Sequence, residues 1–264
     1  MSKTDLFLNG IDFNGCDLPP LLPLVHTVSY KTGMEYINKG ALTKPAVICD
    51  VFHTDNPVYL FYGKPAYKKL DKETSRDPAD HKMVFILKNH PKNPRDIIRV
   101  LPFDSGAFHG GFFNGYIDPT LYTFNDFQLS TDINELPKLI WFFWETNTKF
   151  FKSKKSKDIV THGLSFAISA YYNLIKSDRR EAFDDRCYIP EVQSEEVPCI
   201  LDYLQAIVVS DEIEEFYLDG SEREKLESKN IDVIPYYTFG RTAAQDISHI
   251  YYCIFEYYRD KEVL

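Results

Sequence analysis

The chain has no apolar run near the ~18 residues that crossing a bilayer requires. Its opening residues, Met1 to Asp5, lack the charged-then-apolar layout of a secretory signal. Both absences point to a cytoplasmic protein with no membrane partner. Cysteine is scarce: Cys16, Cys49, Cys187, Cys199 and Cys253 make five in 264 residues, with no Cys-x-x-Cys pair. That argues against a disulfide framework and a thiolate zinc site, and fits reduced thiols. Positive charge is in deficit, with 30 Lys and Arg against 39 Asp and Glu and a net charge of −9. Such a balance does not suit coating of nucleic acid, although it leaves room for a local basic groove. Gly-x-Ser-x-Gly, His-Glu-x-x-His, a Gly-rich phosphate loop and a dinucleotide-binding fingerprint are all missing. So are internal repeats, low-complexity tracts and a recognisable linker.

What the chain does have is aromatics, 18 Tyr and 20 Phe, enough for a large core and for half-wet pockets as well. Residues 1–20 carry turn signals and read as an irregular arm. A strand over 21–27 ends on His26 and Thr27, and a helix over 29–40 should stop at Gly40 in the left-handed conformation. Apolar runs predict strands at 46–52, 58–62, 83–87, 97–101, 206–209 and 232–236. Helical spacing appears over 134–146, 162–176 and 221–228. A last amphipathic helix runs through 244–259, within a C-terminal segment 240–264, with Ile247, Ile250, Tyr251, Ile254, Phe255 and Tyr258 on one stripe. Residues 63–82 read as a charged loop and 102–130 as an ordered, aromatic one. This mixture predicts one α+β domain over 1–264, a mixed or split antiparallel β core with flanking helices.

The most informative stretch is 187–198. Pro190 places it at a sheet edge or strand end, and a two-residue period puts Glu191, Gln193 and Glu195 on one side. Carboxylates so close resist joint ionisation, which raises one pKa. The same residues also describe a solvated acidic edge.

Three blocks together give a second reading. Leu24–Thr27 with the turn at Ile37–Leu42, then Tyr59–Tyr67, then Glu191 with Val197, Pro198 and the strand 206–209 resemble the ADP-ribosyltransferase fold. More narrowly they resemble the DarT-like toxins that modify DNA. The likeness spans residues 21–210. It departs at the middle block, where the family carries Arg and this sequence has Lys64, which cannot make the planar bidentate contact. The resemblance implies NAD as substrate, no metal, a macromolecular acceptor such as nucleic acid, a toxin or phage-defence role, and an antitoxin or defence partner. It implies Glu191 as the catalytic carboxylate, with Glu195 as its rival, and Lys64 facing the pyrophosphate. His26 and Thr27 would touch ribose or nicotinamide, and Tyr62 and Tyr67 would stack on the nicotinamide.

Other residues invite other readings. Lys149, Lys152, Lys154 and Lys155 form the one dense basic run, and Phe150 and Phe151 within it suit base stacking on single strands. Asp104, Ser105 and His109 hold the elements of a Ser/His/Asp nucleophile. His53, Asp55 and His81 are possible metal ligands. Two further functions stay open: an N-glycosidase acting on a nucleotide or nucleic-acid base, and a non-catalytic nucleotide- or nucleic-acid-binding module.

Overall fold

A computed structural model describes residues 7–45, 49–53, 56–66, 77–88, 96–155, 159–161, 163–177, 185–238 and 243–264. β1 (Leu24–Ser29) runs straight into α1 (Tyr30–Lys39). The Ser29 side chain caps the helix by accepting from the Thr32 N–H, and Gly40 ends it at φ 72°, a backbone that only glycine adopts without strain. Next come β2 (Ala41–Leu42), β3 (Val58–Tyr62), β4 (Lys82–Leu87) and β5 (Ile97–Leu101). A helical stretch follows with α2 (Ser105–His109), α3 (Phe124–Phe127), α4 (Leu136–Trp144), α5 (Asn147–Phe151) and α6 (Phe166–Lys176). The chain then returns to the sheet through β6 (Glu191–Ser194), β7 (Val197–Pro198), α7 (Ile200–Tyr203) and β8 (Leu204–Ser210), and closes with α8 (Gly220–Ser228), β9 (Asp232–Tyr236) and α9 (Ala243–Asp260).

Among the described residues the main sheet has seven strands in the order β5-β6-β3-β1-β4-β8-β9. All its pairings are antiparallel except β8 with β9, and β2 pairs with β7 separately. The fold is α+β, as the alternation of short apolar strands and amphipathic helices predicts. Met83 to Leu87 of β4 and Ala206 to Ser210 of β8 are buried without alternation, so both faces of the central strands are covered. α1 lies on one face, where Met83 Sδ and a Val28 methyl crowd against Gly33.

Three local expectations change. Residues 50–52 of the strand predicted at 46–52 are bends, and 46–48 lie outside the described residues. The aromatic loop at 102–130 contains α2 and α3. The strand at Glu191 is not an edge: β6 sits between β5 and β3, and Pro190 occupies the position just before it, where its missing N–H costs the ladder nothing.

Candidate functional site

Pairing across β5, β6 and β3 sets two cross-strand rows on one face of the sheet. Glu191 stands between Leu101 and Phe61, and Gln193 stands between Arg99 and Tyr59. Residues directly opposite share a face, so Glu, Gln, Arg and Tyr cluster where a core sheet would carry aliphatics. Glu191 is 1% exposed and Gln193 is fully buried.

Burial of a carboxyl demands partners, and α2 supplies them. Ser105 donates from Oγ to Glu191 Oε1 at 2.7 Å and from its backbone N–H to Oε2 at 3.1 Å. Gln193 Nε2 donates to the same Oε1 at 2.7 Å, and its own Oε1 accepts from Arg99 Nη1 at 2.9 Å. Arg99 in turn lies 4.2 Å over the Phe52 ring. Asp104 caps α2 by accepting from the Ala107 N–H at 2.6 Å. Desolvation first, and then the charge of Asp104, pushes the Glu191 pKa up to about 8, against the lowering effect of Gln193 and Ser105. Burial thus favours the neutral form of Glu191. The Ser105 hydroxyl is the partner that suits both states, donating to the carboxylate or accepting from the acid.

β1 and β3 pair at Leu24–Tyr62 and Val25–Phe61 and then part. Antiparallel alternation would next give the Tyr59 carbonyl to the Thr27 N–H; instead His26 Nδ1 takes that carbonyl at 2.8 Å. Since a carbonyl only accepts, Nδ1 carries the hydrogen, and burial lowers the imidazole pKa. Nε2 is then a bare acceptor. It is buried without a partner among the described residues, and so is Thr27 Oγ1 on the next residue. Thr27 shares the face of Val25, Phe61 and Glu191, while His26 turns to the opposite face, with its ring centroid 6.4 Å from Phe85 and 6.1 Å from Tyr36. Buried polar atoms seldom go unpaired, and of the two only Thr27 Oγ1 lies on the Glu191 face, where a ligand at the split would satisfy it. Tyr59, on the other lip, contacts Cys49 Sγ through its hydroxyl at 2.7 Å. Its pKa is raised by burial, by Cys49 and by Glu191.

The other sequence candidates go elsewhere. Glu195 lies beyond the end of β6, half-exposed and ion-paired with Lys44, so it does not share the Glu191 cluster, and Asp104 is the neighbouring charge instead. Lys64 is buried, donating to the Phe151 carbonyl at 2.9 Å and the Tyr188 hydroxyl at 3.1 Å. Tyr62 is in the core, its hydroxyl accepting from the Leu22 N–H at 3.0 Å, and offers no ring face to a ligand. Tyr67 lies outside the described residues. Phe150 and Phe151 are buried at 0% and 6% exposure, because α5 packs them against Trp144 and Phe255. They cannot stack on bases. Lys149 pairs with Glu145, Lys152 sits 4.9 Å over Phe255, Lys154 is exposed and Lys155 half-buried.

The Ser105 hydroxyl contacts Glu191, and His109, at the exposed far end of α2, is not what activates it. His81 Nδ1 bonds Ser210 Oγ at 2.9 Å, Asp55 lies outside the described residues, and among those described no three His, Cys, Asp or Glu side chains are grouped to hold a metal. No helix among them is long and apolar enough to cross a membrane. Sequence reasoning missed Arg99 and Tyr59, although an arginine amid Ile97, Ile98, Val100 and Leu101 was a visible anomaly. No family model, curated protein or solved structure matches the chain.

Proposed function

We propose that the protein is a cytoplasmic enzyme that cleaves the nicotinamide–ribose bond of NAD and transfers ADP-ribose to a macromolecule, nucleic acid above all. The observation that carries this reading is a buried, hydrogen-bonded carboxyl on the sheet face where the unpartnered Thr27 Oγ1 lies beside the split between β1 and β3. Departure of nicotinamide takes the bonding electron pair into its ring and leaves an oxocarbenium-like ribose, which a carboxylate stabilises. Glu191 would serve there, fixed by Ser105 and Gln193. Thr27 Oγ1, on the same face, is the group to bond a ribose hydroxyl, while His26 on the opposite face fixes the Tyr59 lip through its carbonyl. The acceptor's nucleophile then joins C1′ and gives up its proton, with Glu191 as base. The cationic nicotinamide ring near Glu191 favours its ionised form, so substrate itself would bring the acid into its working state. A toxin or phage-defence role, with an antitoxin partner, goes with the DarT likeness.

One observation favours a second reading. A carboxyl raised to about 8 is also the acid that a base-excising N-glycosidase uses to protonate its leaving group. The pH profile separates the two. Transfer through the carboxylate predicts kcat/KM rising as pH passes about 8, while general-acid hydrolysis predicts a fall over the same range. Nicotinamide release from NAD, measured by chromatography with single-stranded DNA, duplex DNA or RNA added in turn, tests the transfer reading directly. Release that increases with one polymer, and a mass gain of one ADP-ribose on it, is the expected result. No release between about pH 6 and about pH 9 overturns it.

A further inference from the structure

Of the groups that bond Glu191, the Ser105 N–H can only donate, and the Ser105 hydroxyl turns to suit either form of the acid. Gln193 is different. Its amide has a donating end and an accepting end, and turning it over exchanges them. With Nε2 toward Glu191 Oε1 at 2.7 Å it bonds a carboxylate. With its oxygen there it would repel a carboxylate and accept from the neutral acid instead. Gln193 is fully buried, so its neighbours decide which way it points.

Arg99 makes that choice. A guanidinium only donates and stays charged, so the end of Gln193 that meets Arg99 Nη1 at 2.9 Å has to be the oxygen. Two features bring the guanidinium there. Ile97 stands opposite Ser194, so a regular ladder would set Ile98 against Gln193; the register shifts between Ile97 and Arg99, and Arg99 takes that position. Such a shift re-aims a side chain. The Phe52 ring then backs the guanidinium, 4.2 Å from its centroid. The titratable and charged groups around Glu191 among the described residues are Asp104 on α2, Tyr59 on β3 with Cys49 at its hydroxyl, and Arg99 on β5. Burial and Asp104 favour the neutral acid, whereas Gln193 and then Ser105 favour the ion.

We infer that Arg99 is a positioning residue, which acts through Gln193 to keep a hydrogen-bond donor aimed at Glu191. Its purpose rests on the transfer reading; its test does not. Carbon NMR of the Glu191 carboxyl, assigned by its loss in Glu191→Gln, follows ionisation without NAD. Nicotinamide release gives kcat/KM against pH. Both would be measured for wild type, Arg99→Met, Arg99→Lys, Gln193→Met and the Arg99→Met/Gln193→Met pair.

Arg99→Met frees the amide to turn over, so the Glu191 titration and the rising limb of kcat/KM should both move about one pH unit higher, with release near neutral pH about tenfold lower. Arg99→Lys still donates and should bring both back toward wild type. With Gln193 already replaced by Met, Arg99→Met should move neither. An equal shift in that background would mean that the charge acts on Glu191 directly, and would overturn the inference. An unmoved titration in Arg99→Met overturns it too, as does one that Arg99→Lys fails to restore. Thermal unfolding checks each variant. If Arg99→Met does not fold, Arg99→Gln, which accepts as readily as it donates, takes its place with the same expectations. A titration that moves as expected, with no nicotinamide release even from wild type, would sink the transfer reading and leave the role of Arg99 standing; release with the titration unmoved would do the reverse.

Discussion

Glu191→Gln is expected to lower nicotinamide release from NAD by about a thousandfold, while the chain keeps one cooperative unfolding transition. The amide matches the carboxyl in shape and its oxygen can still accept from Ser105 Oγ and Gln193 Nε2, while its NH2 meets the Ser105 N–H that Oε2 accepted from. It cannot become an anion, so it loses the charge opposite an oxocarbenium-like ribose and the site that takes the acceptor's proton. The stability difference from wild type should change with pH, with a sign that the proton count gives. The folded pKa of about 8 lies above the ordinary 4.5, so within that window the folded chain keeps a proton that the unfolded chain has released. Wild-type stability therefore falls as pH climbs through the window. The Glu191→Gln chain has no proton to lose, and its Tm relative to wild type should rise from about pH 5 to about pH 9. Lost turnover with a pH-independent Tm difference would mean that Glu191 is ionised in the resting fold. Retained turnover would sink the assignment of Glu191. Glu195→Gln, at an exposed pair with Lys44, is expected to change release less than twofold or so.

Where the sequence could be read and where it could not follows from what local pattern carries. The two-residue period found Glu191 and Gln193 on one face, and the 3.6-residue stripe placed the last helix within a residue of Ala243–Asp260. Asp232–Tyr236 has the predicted bounds. Glu195 was misplaced because the period was carried one step past Ser194, where the strand ends and the Glu195 N–H turns to the Asp96 carbonyl. The loop holding Asp104 and Ser105 looked chemically loaded, but its partner is 86 residues away in sequence, and only strand pairing brings them together. The split between β1 and β3 left no local trace either, since it comes from where pairing stops. Phe150 and Phe151 among lysines looked like a binding surface. Burial of one face of α5 against α4 and α9 decided otherwise, and the charged heads reach solvent while the rings do not.

Lys64 is the residue whose meaning changed most, and its replacement should be the largest stability effect. Gly63 turns the chain after β3 at φ 74°, and a Cβ there would come 2.7 Å from Leu22 Cδ1, so the turn is tight and drives Lys64 inward. Its ammonium is surrounded by the rings of Phe150, Phe151, Tyr188 and Tyr251, at 4.7–6.0 Å from their centroids. Tyr188 passes the contact on, donating to Asp185 and bonding Ser153, while Tyr251 of α9 donates to the Pro65 carbonyl at 2.6 Å. One side chain thus ties β3, α5, α9 and the approach to β6. Lys64→Ala removes the stem and leaves a cavity, and it strips a donor from the Phe151 carbonyl; a loss of roughly 3–5 kcal/mol is expected in urea unfolding. Lys64→Met keeps the stem and should lose less, about 1–3 kcal/mol. The catalytic consequence is the sharper part. A lysine that reached a pyrophosphate would, on conversion to methionine, raise KM for NAD steeply with little change in stability. A lysine holding the fold together does the opposite, and the buried geometry predicts a folded Lys64→Met enzyme whose KM stays within about threefold of wild type.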